Sequence, residues 1–379
     1  MKIQLESEIN KFDSSIAIEA ADTPPSSWYL DPQFFELDKK VLMNYWQFVA
    51  SLDQFQETGS YLAGSFCGEP YFIVKTETGD LKAFYNVCRH HAAELLHGEG
   101  CTKDIVCPYH AWNYSLDGQL KKAPQMAGVK SFSREKLSLN EIPLKIWNKF
   151  VLLDFSGNAK PLDADLNRFD QRLVEAGTNE LKFIGRRVYE IKCNWKVYID
   201  NYLDGGYHVD HLHKGLAGQL KMDDYKVENY KTWTLQSCAA SPNPIQGTSI
   251  DFKERIGKEA LYAWFHPNFM INRYGNIMDT NWIVPLAPDH CLTIFDYYFL
   301  PDTTEDFITA SIKASEQVQI EDVSICQSVQ RGLSSRSYTT GRYAPMLEGG
   351  AYLFHQLLKE DYLAQIKNGR VQNVRLDNN

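Results

Sequence analysis

Two groups of residues in this chain have the types and spacings that hold metals. The first is Cys88-Arg89-His90 followed by Cys107-Pro108-Tyr109-His110, a C-x-H-x16-C-x2-H pattern. Two thiolates and two imidazoles on short loops suit a mixed-ligand [2Fe–2S] cluster, and they also suit a Cys2His2 structural zinc. The residue types alone leave both open. The second group lies between Asn194 and His213. Asp200, Asp204 and His208 recur at i, i+4 and i+8, so a continuous helix would line them on one face, with His213 bending toward the same point. Two histidines and one carboxylate on one side of Fe(II) leave the opposite positions open for O2 and substrate. A carboxylate is still needed from elsewhere. The long amphipathic helix expected from about Thr303 to Gly332 offers Glu316, Glu321 and Asp322. Val318, Ile325 and Val329 mark its expected buried stripe, and Asp322 falls on that stripe. A carboxylate on a buried face is costly unless a metal or a cation answers it.

The elements that must position these groups fall into two domains, which 379 residues can accommodate. Residues 1–44 read as an irregular, partly helical lead-in packing on the catalytic part. Residues 45–157 read as all-β, from WQFVA through GSYLAGSF and EPYFIVKTETGDLKAFYNV, with a turn at Thr78-Gly79-Asp80 and a closing strand Phe150–Leu153. A polar stretch from Ser156 to Asp165 is the expected boundary. Residues 158–379 mix helix and strand, including the run from Cys291 to Leu300 and the long helix, so the class is α+β.

Composition narrows the partners. A hydrophobic content of 44% with 23% charged residues is that of an ordinary globular protein, and no apolar run is long enough for a membrane span. A formal charge of −9 without a Lys/Arg cluster argues against nucleic acid. The opening MKIQLESEIN lacks the layout of a secretory signal, so a cytoplasmic location is expected. Eight dispersed cysteines in such a chain point to ligation or burial rather than to a disulfide framework. No Gly-rich dinucleotide loop follows a strand, so reducing equivalents must come from another protein.

CPYHAW resembles the second ligand loop of Rieske iron–sulfur proteins, with Ala111 where glycine is usual. Taken with the His208/His213 segment and Gln319-Ile-Glu-Asp322, nearly the whole chain resembles the Rieske non-haem iron oxygenases, the ring-hydroxylating α-subunit family. NWKVYIDNYLDGGYHV, YAWFHPNFMINRYGNIMDTN and FDYY are most similar to choline monooxygenase-like members. The resemblance implies an all-β Rieske domain followed by a helix-grip catalytic domain, an antiparallel sheet with helices. It places Cys88 and Cys107 on one cluster iron, His90 and His110 on the other, and His208, His213 and Asp322 on a mononuclear Fe(II). Family members carry a bridging acid at the place of Gly205; here Asp204 is the candidate, with Asn201 the other expected active-site residue. A homotrimer is implied, fed from NAD(P)H by a separate reductase, directly or through a ferredoxin. The implied substrate is a choline- or betaine-like quaternary ammonium compound, hydroxylated or demethylated with O2.

Trp264, Phe265, Phe269, Tyr274, Tyr297 and Tyr298 are candidates for an aromatic cage, although aromatics in strands are more often core. A neutral aromatic or N/O-methyl substrate is the alternative. A two-metal structural or electron-carrier protein, such as a zinc-stabilised binding module or an oversized ferredoxin, is the non-enzymatic one, and a ferredoxin has no use for His208, His213 and Asp322.

Overall fold

The computed structural model describes residues 4–162, 166–175, 177–213, 219–241 and 255–376. The last three residues of the expected boundary stretch, 163–165, lie outside these. The chain divides into two compact units: Met43–Pro161, and Met1–Leu42 together with Leu162–Asn379.

The smaller unit is built from strands. β1 (Gln47–Ser51), β2 (Ser60–Phe66), β3 (Glu69–Lys75), β4 (Leu81–Tyr85), β5 (Glu99–Cys101), β6 (Ile105–Val106), β7 (Asn113–Tyr114), β8 (Leu120–Lys122), β9 (Glu141–Ile142), β10 (Leu144–Trp147) and β11 (Phe150–Leu153) form three antiparallel sheets. Their orders are β5-β2-β3-β4-β9, β6-β7-β8 and β1-β11-β10. The β3–β4 hairpin turns where Gly79 takes a φ of +90°, a conformation that costs glycine little. Phe72, Val74, Phe84, Trp112, Tyr114 and Leu120 fill the core beneath, and Cys88 and Cys107 belong to the same buried cluster. The first candidate site therefore stands directly on packed apolar side chains.

In the larger unit β12 (Lys182–Ile191), β13 (Lys226–Asn229), β14 (Trp233–Ala239), β15 (Glu259–Phe265), β16 (Phe269–Tyr274), β17 (Ile277–Ala287) and β18 (His290–Phe299) make one antiparallel sheet, ordered β12-β18-β17-β16-β15-β14-β13. The described helices are α1 (Leu5–Ile9), α2 (Ser27–Leu30), α3 (Pro32–Met43), α4 (Leu166–Glu175), α5 (Trp195–Tyr202), α6 (Val209–Leu212), α7 (Glu305–Leu333) and α8 (Gly349–Leu376). None of them is long and apolar enough to cross a membrane. Residues before α3 run against the C-terminal helix: the ring of Trp28 packs between Phe34 and Tyr362, and Tyr352 of α8 donates to the Ser14 carbonyl. This is the α+β architecture expected from the sequence.

The packing of α7 departs from that expectation. Ile325 and Val329 are exposed, and Val318 is only half-buried. The buried face is instead Ser311, Ser315, Gln319, Asp322, Cys326, Gln330 and Leu333. Gln319, Asp322 and Gln330 on this face are met by α5 and its N-cap, and Ser315 by the Tyr297 hydroxyl at 3.0 Å. The Asn194 backbone N–H donates to Gln330 Oε1 at 2.9 Å, the Tyr198 hydroxyl to Gln319 Oε1 at 2.8 Å, and Asn201 Nδ2 to Asp322 Oδ1 at 2.9 Å. A buried polar group costs little once paired, so a hydrogen-bonded seam replaces the apolar stripe that simple amphipathicity suggests.

Helix α5 is fixed at its other side by Lys196. This residue and Asp38 of α3 are both fully buried and form an ion pair, and the Tyr362 hydroxyl of α8 donates to the same carboxylate. Burial lowers the Lys196 pKa, and Asp38 counters by holding the ammonium charged. Removing one partner strands the other charge, so Lys196→Met is expected to cost about 3–5 kcal/mol. The double variant K196M/D38L should recover most of that loss. Guanidinium denaturation of the three proteins checks both expectations.

Candidate metal centres

In the larger unit the site begins where α5 stops. Asn194 caps its start, its side chain accepting from the Lys196 backbone N–H at 3.0 Å, and Gly205 and Gly206 end the segment with φ of +69° and +76°. The single helix expected from Asp200 to His208 is therefore broken at Tyr202, and the three residues do not share one helical face. Asp200 turns away, accepting from the Tyr29 hydroxyl at 2.7 Å and lying 3.0 Å from His355 Nε2. Asp204 organises the turn. Its Oδ1 accepts from the backbone N–H of Gly206 and Tyr207, and its Oδ2 accepts from the His208 N–H and, at 2.5 Å, from His208 Nδ1. A side chain cannot stand at position 205, because a Cβ there would sit 2.3 Å from the Leu347 carbonyl oxygen on a left-handed backbone. The turn thus admits no acid at 205, and the carboxylate that holds His208 stands one residue earlier.

The histidines converge. His208 Nε2 and His213 Nε2 are 3.0 Å apart, and Asp322 Oδ1 lies 3.8 and 3.3 Å from them. Ligands on one face of an octahedral ion at about 2.1 Å are separated by about 3 Å, so the donor set fits a single divalent metal. Second partners fix each ligand. Asp204 accepts from the Nδ1–H of His208 and Glu321 lies 2.8 Å from Nδ1 of His213, which leaves both Nε2 lone pairs turned inward. Asn201 holds Asp322 Oδ1 and Gln319 reaches Oδ2 at 3.4 Å. Burial works against a charged His213, yet Asp322 and Glu321 outweigh it and raise its pKa, so positive charge is favoured at this point.

Of the acidic residues on α7 singled out in the sequence, Asp322 faces the histidines, Glu321 stands behind His213, and Glu316 pairs with Arg187 at 3.3 Å. Gln319 and Tyr198 were not singled out. Their signal was present in the i−3 spacing of Gln319 from Asp322, but a buried polar face hides inside a helix that also carries Ile and Val.

A cavity of about 130 Å³ opens onto this donor set. The six proposed cage aromatics do not line it. Trp264 packs on Phe354 and His266, Phe265 on Phe169 and Trp233, and Tyr297 lies in a core cluster with Phe295. Phe269, Tyr274 and Tyr298 are likewise buried. Among the described residues the phenol rings at the cavity wall are Tyr198, Tyr202, Tyr225 and Tyr262. Three of them turn their hydroxyls to Gln319, Asn272 and Gln236, so the wall offers ring surface more than free O–H.

In the smaller unit two loops carry the first motif. Cys88 accepts a backbone bond from Ala92, and Cys107 one from Ala111, and each loop then turns through a left-handed alanine, with φ of +60° and +56°. Cys88 and Cys107 are buried, whereas His90 is half-buried and His110 exposed, their ring centroids 4.7 Å apart. The His90 ring stacks on Trp112 at 4.8 Å, and its buried Nδ1 has no partner among the described residues. The Tyr114 hydroxyl lies 3.3 Å from Cys88 Sγ. Burial raises the Cys88 pKa, and the neighbouring Cys107 thiol adds to the rise. An orphaned imidazole nitrogen above paired buried thiols fits a mixed-ligand cluster, with sulfur ligands inward and nitrogen ligands at the rim.

If Glu321 sets the His213 tautomer, Glu321→Gln is expected to weaken iron binding at the mononuclear site by about 10- to 100-fold. The cluster's visible spectrum should be unchanged. Anaerobic Fe(II) titration followed by calorimetry measures the first and absorbance the second.

Residues 45–133 match the Rieske [2Fe-2S] domain and residues 178–364 match the ring hydroxylating alpha subunit (catalytic domain). The chain is 42% identical over 365 residues to the chloroplastic choline monooxygenase of Arabidopsis thaliana, covering 92% of this chain and 85% of that protein. It is 31% identical to the carnitine monooxygenase oxygenase subunit of Escherichia coli (strain K12), covering 90% and 94%. A crystal structure of a quaternary ammonium Rieske monooxygenase in complex with L-carnitine superposes with a TM-score of 0.80 at 31% identity, over 91% of this chain and 96% of that one. Naphthalene 1,2-dioxygenase from Rhodococcus sp. shares the fold at a TM-score of 0.76 and 17% identity, over 96% and 98%. With both of its units matched and its length shared with these enzymes, the chain belongs to the Rieske non-haem iron oxygenases.

Proposed function

We propose that this chain is a terminal oxygenase component that hydroxylates or demethylates a quaternary ammonium compound of the choline or betaine kind, using O2. Electrons come from a separate NAD(P)H-dependent reductase, directly or through a ferredoxin. The observation that carries the reading is the convergence of His208, His213 and Asp322 at the mouth of a cavity walled by tyrosine rings. Ring faces attract a trimethylammonium group by about 1–2 kcal/mol per good contact. The similarity to choline and carnitine monooxygenases supports the same substrate class.

Residues 45–157 would hold the cluster in this account, with Cys88 and Cys107 as ligands to one iron and His90 and His110 to the other. Residues 158–379 hold the mononuclear iron, with 1–44 as their lead-in. When bound, the cluster supplies single electrons and Fe(II) supplies vacant coordination positions for O2. The protein does the rest by positioning. Asp204 and Glu321 keep the Nδ1 protons of His208 and His213, and Asn201 and Gln319 stop the Asp322 carboxylate from rotating. Tyr198, Tyr202, Tyr225 and Tyr262 hold the substrate against this face and exclude water. Oligomerisation as a homotrimer would bring a neighbouring subunit's cluster histidine to Asp204, which already holds His208; inter-subunit electron transfer is described for a similar quaternary ammonium monooxygenase.

Single-turnover reactions test the proposal. Chemically reduced, iron-loaded protein exposed to O2 with choline, glycine betaine or carnitine is expected to yield oxidised product from at least one of them. His208→Ala should keep the cluster's spectrum and yield none. Product from a neutral aromatic or tertiary amine alone would overturn the substrate class, and unchanged product in H208A would overturn the site.

A further inference from the structure

Asp279 of β17 is a buried carboxylate that neither candidate centre uses. It is 2% exposed and stands directly across the β16–β17 pairing from Asn272. Its Oδ1 accepts from Asn272 Nδ2 at 2.6 Å and its Oδ2 from the Tyr274 hydroxyl at 2.5 Å. Among the described residues no lysine or arginine nitrogen lies within ion-pair distance of it. The cation that acts on it is Arg255, held over the Tyr274 ring at 5.2 Å, with its Nη2 3.5 Å from the Tyr274 hydroxyl. Both donors to Asp279 are neutral, and an asparagine could stand here without burying a charge if the amides of Asn272 and Asn281 reversed. The buried Arg255 answers this carboxylate in part, acting across Tyr274, and the cavity lies on its other side.

Asn272 and Asn281 line the cavity, so Asp279 lies one hydrogen bond behind the wall. Asn272 also donates to Asn281 Oδ1 at 2.9 Å and accepts from the Tyr202 hydroxyl at 2.8 Å, which joins the carboxylate to one of the wall rings. Burial raises the Asp279 pKa, while the hydrogen bonds from Tyr274 and Asn272 and the charge of Arg255 oppose that rise; a charged Asp279 in turn adds to the rise of the Tyr198, Tyr202 and Tyr262 phenols, for each of which burial is the first cause. The same network leaves Asn281 Nδ2 without a partner among the described residues, on a residue that is 1% exposed and lines the cavity. A hydroxyl or carboxylate oxygen of a ligand would satisfy it.

We propose that Asp279 is the specificity-determining counter-charge of the substrate cavity: it favours a cationic substrate over a neutral one of the same shape, through the field it projects past Asn272. In a water-poor cavity a charge one side chain away is only partly screened, whereas ring faces alone discriminate weakly. This inference rests on the quaternary ammonium reading given above and adds the residue that enforces it. Asp279 touches no reacting atom, so its effect belongs to binding and not to the chemical step.

The test compares choline with 3,3-dimethylbutan-1-ol, in which carbon replaces the charged nitrogen. Both are titrated calorimetrically into anaerobic, iron-loaded wild type and Asp279→Asn. Choline is expected to bind roughly tenfold more weakly to D279N, the neutral alcohol to be unchanged, and Asp279→Glu to restore the difference. The amides of Asn272 and Asn281 and the Tyr202 hydroxyl can reverse together to meet the new amide, so iron content and melting temperature should hold. If D279N does not fold, Asp279→Ser is the second neutral variant, with the same expectation. Equal weakening of both ligands, or an undiminished preference for choline, overturns this inference alone. A wild type that binds no trimethylammonium compound overturns the substrate reading and this inference together.

Discussion

A carboxylate buried on the face of a long helix is the constraint from which most of the larger unit follows. Asp322 cannot stay there unanswered, and the answer comes from two directions. Histidine nitrogens and the ion they fit face one side of it, while the amides of Asn201 and Gln319 hold its oxygens from the other. Because those amides sit on α5 and α7, the two helices are joined by polar contacts that run the length of α5, from Gln330 to Asp322. Lys196, pinned between Asp38 and the rings around it, keeps α5 from sliding in that seam. Stability and metal geometry are therefore set by the same residues.

The two centres solve opposite problems of access. At the first motif the thiols are buried in a core cluster and the imidazoles reach the rim, which suits a centre that must pass electrons outward yet keep its sulfurs dry. At the second, His213 and Asp322 are buried and the approach is through a cavity whose wall is mostly ring surface. Outward-facing nitrogen serves electron exchange, and inward-facing nitrogen serves a substrate sealed from water.

Much of this was legible in the sequence because spacing is local information. C-x-H and C-x2-H place ligands on tight loops whatever surrounds them, and His208, His213 and Asp322 could be picked out before any packing was known. Tertiary context decided the rest. The i, i+4, i+8 pattern suggested a helix through His208, but Gly205 and Gly206 stop it, and Asp200 belongs to a separate network with Tyr29 and His355. The stripe of Val318, Ile325 and Val329 pointed to the wrong face of α7, since hydropathy cannot show that Ser, Gln and Asp are paired across a seam. The aromatic cage failed for a related reason. Aromatic residues in a central strand pack against neighbours first, and the rings that reach the cavity come from α5, from the segment before β13, and from only one position of β15.

Everything rests on an electron store of mixed sulfur and nitrogen ligation coexisting, in one chain, with a separate iron held by two imidazoles and one carboxylate. Metal and acid-labile sulfide analysis of the purified protein, with an EPR spectrum after dithionite reduction, tests that most directly. The account predicts about three irons and two sulfides per chain and a reduced-cluster signal of the Rieske type. Zinc in place of iron, with no sulfide and no such signal, would contradict it.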